Sequence, residues 1–228
     1  QTLHNFCSLD LGSLYLDVIK DRVYTSQADS LARKSAQTAA YHIAHSLLRL
    51  LAPILNFTAE EAFSHIPGND ETTIFTKTWY QDLAELSKDD DLNVDTWNLI
   101  FDVRQQTLKT LEEYRVKGDI GSGLDADVTI YCEGATERAL SLLENELRFV
   151  LITSSSEVKS LSDAPSDLHE LTLANGDTIK IAIQKSSNEK CVRCWHLRAD
   201  VGEHKDHPEL CLRCVDNVDG SGEVRKYA

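Results

Sequence analysis

Four of the six cysteines fall into two Cys-x-x-Cys pairs, Cys191-Val192-Arg193-Cys194 and Cys211-Leu212-Arg213-Cys214, with sixteen residues between them. Each pair is a short knuckle that offers two sulfurs to one side, and the separation lies within the window of a four-cysteine metal module. Zinc takes no geometric preference from its d-electrons, so two knuckles suffice to close a tetrahedron of thiolates. A catalytic zinc keeps one position open for water, and four thiolates leave none. The spacing therefore predicts one structural Zn²⁺ on Cys191, Cys194, Cys211 and Cys214. Two disulfides are the rival reading, but no secretory segment is seen, and Cys-x-x-Cys in a reducing compartment points to metal or redox chemistry. His196, His204 and His207 are imidazoles that could replace a sulfur, yet the set of four cysteines is already complete. The tail has few large apolar side chains, so metal binding must supply much of its folding free energy.

The remaining chemistry is sparse. Cys7 and Cys132 sit singly in apolar-patterned segments and read as small core residues. His42 and His45 share a helix face without a third ligand, so they read as a solvated or hydrogen-bonded pair. There is no glycine-rich phosphate loop, nucleophile elbow or glycosidase-like carboxylate pair, so no catalytic residue is assigned. The 228 residues are 42% apolar, enough for a real core, with no apolar run long enough for a membrane span. The net charge of −14 argues at first against nucleic acid, but it is unevenly spread. Residues 1–50 carry five Lys/Arg against four Asp/Glu, residues 185–228 carry eight of each, and residues 51–184 hold the acidic excess. The chain has no methionine and opens on Gln1 inside a helical pattern, which suggests a piece of a longer protein.

The elements that must position the knuckles follow from periodicity. Helical spacing predicts helices over 2–24, 29–51 and 94–117, with Pro53 ending the second. Thr58-Ala59-Glu60-Glu61 reads as a capping box opening a short helix that stops at Pro67-Gly68. Residues 69–92 are polar and acidic, and Lys88-Asp89-Asp90-Asp91 reads as a surface loop before the next helix. Ala126, Val128, Ile130 and Cys132 alternate with polar neighbours, which predicts a half-buried strand. A helix over 136–147 and a buried strand Phe149–Thr153 are expected next. Asn175-Gly176, between Leu171–Leu173 and Ile179–Ile183, signals a type I′ hairpin. The predicted fold class is multidomain: an all-α helical bundle (1–92), a small α+β segment (93–185) and a C-terminal four-cysteine zinc module (186–228).

Tyr15-Leu16-Asp17-Val18-Ile19-Lys20-Asp21-Arg22-Val23-Tyr24 resembles the first long helix of the anticodon-binding bundle in class Ia aminoacyl-tRNA synthetases for branched aliphatic amino acids. Leu51-Ala52-Pro53-Ile54-Leu55 with Phe57-Thr58-Ala59-Glu60-Glu61 resembles a later helix junction of that bundle, and Gly121–Val128 the start of the α+β segment that follows. Arg193-Cys194-Trp195-His196, His207-Pro208-Glu209-Leu210-Cys211 and Arg213-Cys214 resemble the C-terminal zinc module of the bacterial isoleucyl-tRNA synthetases. The resemblance covers essentially the whole chain. It implies a tRNA-binding region whose catalytic and editing domains lie upstream, where ATP and Mg²⁺ would act, in a cytoplasmic and monomeric ligase with no membrane contact. The isolated region would be inactive.

On that resemblance, unpaired anticodon bases would stack on aromatic rings and be read at their edges. Trp195, held on a knuckle, is the candidate platform, and the alternative is that it covers the zinc site as core. Arg193 and Arg213 occupy matching knuckle positions and could meet phosphates, or offset the net negative charge of a zinc–thiolate centre. Lys190 and Arg198 join them as candidate RNA contacts, with Lys205, Arg225 and Lys226 widening the positive surface. Lys20 and Arg22 on the first helix are further candidates, although Arg22 beside Asp17 and Asp21 also suits an intrahelical ion pair. Two rival functions stand beside this one. The formamidopyrimidine-type DNA glycosylases end in a similar finger, but their amino-terminal proline is not matched by Gln1-Thr2-Leu3. A zinc-stabilised protein-interaction module without nucleic acid is the other.

Overall fold

A computed structural model describes residues 1–68 and 73–228. It separates into two compact units, one of residues 1–27 with 86–228 and one of residues 28–85. The first helix, within residues 1–27, falls in the same unit as the sheet and the cysteine knuckles.

That first helix is continuous from α1 (Thr2–Asn5) through a π-helical stretch (Phe6–Leu16) into α2 (Asp17–Thr25). The wide turn has local support: the Ser13 hydroxyl donates to the carbonyl of Ser8, five residues back, at 2.8 Å. Period reading places the helix but does not resolve its π turn.

In the smaller unit, α3 (Leu31–Leu51) starts on Ser30, whose hydroxyl accepts the Arg33 amide. The next helix, α4 (Asn56–Ser64), begins two residues before the expected capping box. Thr58 is therefore already helical, and Glu60 instead accepts the amide of Ile74 at the start of a 3₁₀ turn, Ile74–Thr76. Ala52, Ala59, Phe63 and Ile74 form the core of this unit. His42 bonds the Tyr80 hydroxyl at 2.5 Å, while His45 is buried and stacked on the Tyr80 ring. Burial and the nearby Arg49 push the His45 pKa down, so its ring is neutral. Of the acidic stretch expected over 69–92, residues 69–72 lie outside the described residues.

The larger unit resumes with α5 (Val94–Lys117), at the bounds the period predicts. Asn93 caps it by accepting the Thr96 amide, and Gly118 ends it at φ +83°, where a side chain would be strained. β1 (Ala126–Cys132) alternates as expected, with Ala126, Val128, Ile130 and Cys132 buried against α5 residues Ile100, Val103 and Leu111. The apolar run after it is not a strand. α6 (Gly134–Ser141) leads through a 3₁₀ turn to α7 (Leu147–Leu151), a short buried helix, and the strand β2 (Ser155–Ser160) follows. A short apolar run cannot tell strand from buried helix by periodicity.

β2 pairs parallel to β1, β4 (Thr178–Lys185) pairs antiparallel on its other side, and β3 (Leu171–Thr172) edges β4. The β3–β4 hairpin has a three-residue loop, Ala174-Asn175-Gly176, rather than the expected two-residue type I′ turn. Leu173 and Asp177 close it, and only Gly176 takes a positive φ, +89°. The tail adds the small hairpin β5 (Glu189–Lys190) and β6 (Leu197–Arg198), then α8 (Leu212–Asp219). Among the described residues no helix is long and apolar enough to cross a membrane.

Candidate zinc centre and RNA-facing surface

The first knuckle is the tip of the β5–β6 hairpin. Cys191 and Cys194 are brought round by the bonds Trp195 N–H to Cys191 C=O (2.9 Å) and Cys191 N–H to His196 C=O (3.0 Å). The reversal places Trp195 in the left-handed region at φ +67°. The second knuckle is the start of α8, with Cys211 as its N-cap and Cys214 in its first turn, where the helix dipole favours thiolate. All four sulfurs are buried and lie within 4.8 Å of one another. Ideal Zn–S bonds in a tetrahedron separate sulfurs by about 3.8 Å. Cys194 and Cys211 are 3.8 Å apart, so the donor set fits zinc. Sulfur contacts within the cluster pull the Cys194 thiol strongly down in pKa, while proton sharing pushes Cys211 up to about 12. A divalent cation removes that conflict by taking all four as thiolates.

Charge locks this module to α2. Arg213 grips Asp21 with two bonds, 2.8 and 3.0 Å, and reaches Glu223 at 3.1 Å. Burial works against its charge, but Asp21 and Glu223 outweigh it and hold the guanidinium firmly protonated. Arg225 bonds Asp21 at 2.6 Å and lies over the Phe149 ring at 3.5 Å. Arg22 donates to the backbone oxygen of Ala228 at 3.0 and 3.2 Å, and Glu146 accepts the amides of residues 226–228. His196 is buried beside Arg148, and burial lowers its pKa to about 4. A further bond, Leu197 N–H to the Ser154 hydroxyl at 2.6 Å, seats the knuckle on the loop before β2.

The seven RNA-contact candidates thus divide. Arg22 and Arg213 are turned inward onto backbone oxygen and carboxylates, and neither faces an external phosphate. Arg22 is not an intrahelical partner of Asp17 or Asp21 either. Arg225 of the wider positive surface is buried in the same way. Lys20, Lys190, Arg193, Arg198 and Trp195 stay at or near the surface, although Lys20 pairs with Asp17 and Arg198 lies near Asp200. The Trp195 ring is 60% exposed and the Lys190 ammonium sits 4.9 Å from its centre. Two clefts meet at this tryptophan. One of about 340 Å³ is lined by Val18, Lys20, Tyr24, Leu124 and Arg193, and one of about 570 Å³ by Lys20, Arg115 and Lys190. The exposure rules out Trp195 as a buried lid. Sequence reasoning missed Asp21 as the hub and Tyr24, 76% exposed, as a second ring at the cleft. No local pattern marks Asp21, because its partners lie about two hundred positions away.

The class this arrangement defines is an α+β region carrying a four-cysteine knuckle module fit for zinc, with an exposed aromatic ring beside Lys190. Residues 1–130 match the family described as the anticodon-binding domain of tRNA ligase, and residues 188–217 match the zinc finger found in FPG and IleRS. The chain belongs to the first of these families. It is 49% identical over its whole length to the isoleucine–tRNA ligases of Thioalkalivibrio sulfidiphilus and Nitrosococcus oceani, and 48% identical over 226 residues to that of Pseudomonas paraeruginosa. It spans about a quarter, 24%, of the length of these relatives.

Proposed function

We propose that this chain is the C-terminal, tRNA-holding region of an isoleucine–tRNA ligase, whose ATP- and Mg²⁺-dependent chemistry resides elsewhere in a longer cytoplasmic polypeptide. In this reading residues 1–92 form the anticodon-binding bundle, residues 93–185 an α+β junction segment, and residues 186–228 a module built on one structural zinc. The chain carries no catalytic residue and is inactive alone. The observation that carries the reading is Trp195, a 60% exposed ring on a left-handed knuckle residue with Lys190 beside it. An unpaired base stacks on the ring while Lys190, Arg193, Arg198 and Lys20 meet the flanking phosphates. The zinc supplies rigidity: it fixes the turn that presents the ring. A DNA-repair function shares the zinc-finger family description, but the match over residues 1–130 supports tRNA.

Stacking is worth about 1–3 kcal/mol per base, or roughly 5- to 150-fold in affinity. Trp195→Ala should therefore weaken isoleucine tRNA binding within that range while leaving zinc content and melting unchanged. Equal tRNA affinity in wild type and variant counts against the platform.

A further inference from the structure

The two clefts that meet at Trp195 differ in what already fills them. The Lys190 ammonium lies over the indole, 4.9 Å from the ring centre, and takes up one of its two faces. Lys190 lines the cleft of about 570 Å³ and not the one of about 340 Å³. The face of Trp195 left open is therefore the one turned to the smaller cleft. Val18, Leu124 and Ile152 give that cleft an apolar wall, and Tyr24, 76% exposed, adds a second ring to it. Its volume is at the small end of ligand pockets, which run from about 300 to 1,000 Å³, and suits a single base.

Tyr24 is held as firmly as Trp195. It stands in the last turn of α2, and its neighbour Thr25 is tied to both knuckles. The Thr25 carbonyl accepts from Arg193 at 3.2 Å, and its hydroxyl from Arg213 at 3.4 Å. One turn earlier, Asp21 takes two bonds from Arg213. The backbones that carry the two rings are thus fixed to each other within one compact unit, and little ordering is left to be done on binding. Lys20, four residues before Tyr24 and so on the same helix face, lines both clefts. The carboxylates that reach the smaller cleft are already answered, Asp17 by Lys20 at 2.9 Å and Asp21 by Arg213 and Arg225.

We propose that Tyr24 is a second stacking residue for the base that Trp195 holds. One unpaired RNA base enters the smaller cleft against the open face of Trp195 and the ring of Tyr24, while Lys20 and Lys190 meet its phosphates from the larger one. This deepens the reading of Trp195 as an RNA platform and rests on it. Both rings accept any base, so the cleft selects an unpaired nucleotide rather than a particular one.

The test uses the zinc-loaded chain and an RNA hairpin with the anticodon stem and loop of isoleucine tRNA, together with versions in which one loop nucleotide at a time is abasic. Tyr24→Ala should weaken binding of the intact hairpin about five-fold or more, the lower end for one stacked base. Tyr24→Phe, which keeps the ring, should bind as wild type does. On one and the same abasic hairpin, Tyr24→Ala and Trp195→Ala should both lose their effect, because the base they share is gone. Zinc content and melting temperature should be unchanged in all three variants, since both rings are exposed. A Trp195→Ala effect with none from Tyr24→Ala overturns the inference and keeps the platform. Loss of binding in Tyr24→Phe also overturns it, as does cancellation of the two alanine effects at different loop positions. Indifference of binding to Trp195→Ala removes the platform reading itself, and this inference with it.

Discussion

Asp21 holds two charged partners at once, Arg213 through both oxygens and Arg225 at 2.6 Å, with the edge of the neutral His196 ring 3.9 Å away. Burial pushes its carboxyl up in pKa, but the bonds and charges of Arg213 and Arg225 pull it further down, below the ordinary value. Removing one member of such a network leaves buried charges uncompensated, so Asp21→Asn should cost about 3–5 kcal/mol and loosen the tail from α2. The sign of its pH dependence follows. A depressed folded-state pKa contributes stability that is complete above the unfolded value, near 3.8, and is lost as pH falls through the folded one. The gap in unfolding free energy between wild type and Asp21→Asn should be widest near neutrality and shrink below about pH 4. A gap independent of pH contradicts the assignment. The same residues show the reach of sequence reasoning. Cysteine spacing is local, so the cluster was legible. Arg213 and Arg22 read as RNA contacts because their true partners, Asp21 and the Ala228 backbone, are remote in sequence. Arg193 is exposed at the knuckle tip and donates to the Thr25 carbonyl at 3.2 Å.

At the scale of elements, the turn before β1 is where the sheet meets the knuckle. Asp125 accepts the amides of Gly121 and Ser122, and a Cβ on Gly123 would lie 2.8 Å from the Ile152 carbonyl. Neither backbone segment can yield without shifting α7 or β1. Gly123→Ala should therefore destabilise the chain by about 1–3 kcal/mol in a denaturant melt, and an unchanged midpoint contradicts that close approach. Elements with strong local signals were legible: α5 has a full helical period, an Asn cap and a terminal glycine, and β1 alternates cleanly. The run Phe149–Thr153 was not, since four apolar residues and a threonine fit either a strand or a buried helix, and the chain forms the buried helix α7 there. Asn175-Gly176 did mark a turn, but the bond between Leu173 and Asp177 set the loop at three residues. Thr58 and Glu61 lost their expected cap roles because α4 starts earlier, and it is the neighbouring Glu60 carboxylate that accepts the Ile74 amide.

Across the whole molecule, charge is distributed by task. The net of −14 resides mainly in the middle of the chain, while the tail balances eight cations with eight anions. Two of those cations, Arg213 and Arg225, are consumed internally by Asp21 and Glu223, while Lys190 and Arg193 line the clefts at Trp195. The tail's own apolar contribution is small, Val201 and Leu210 against the sulfurs, so a zinc held by the four cysteines would stand where a core would be. The most direct measurement is a titration of isoleucine tRNA and a non-cognate tRNA against the purified chain, at two salt concentrations, before and after zinc removal by a chelator. Counterion release weakens binding of both RNAs as salt rises. The account predicts one zinc per chain, a cognate preference that survives the higher salt, and loss of that preference with the metal while the helices persist by circular dichroism. Cognate preference that is unchanged after the zinc is gone, or a zinc-loaded chain that binds neither RNA, contradicts it.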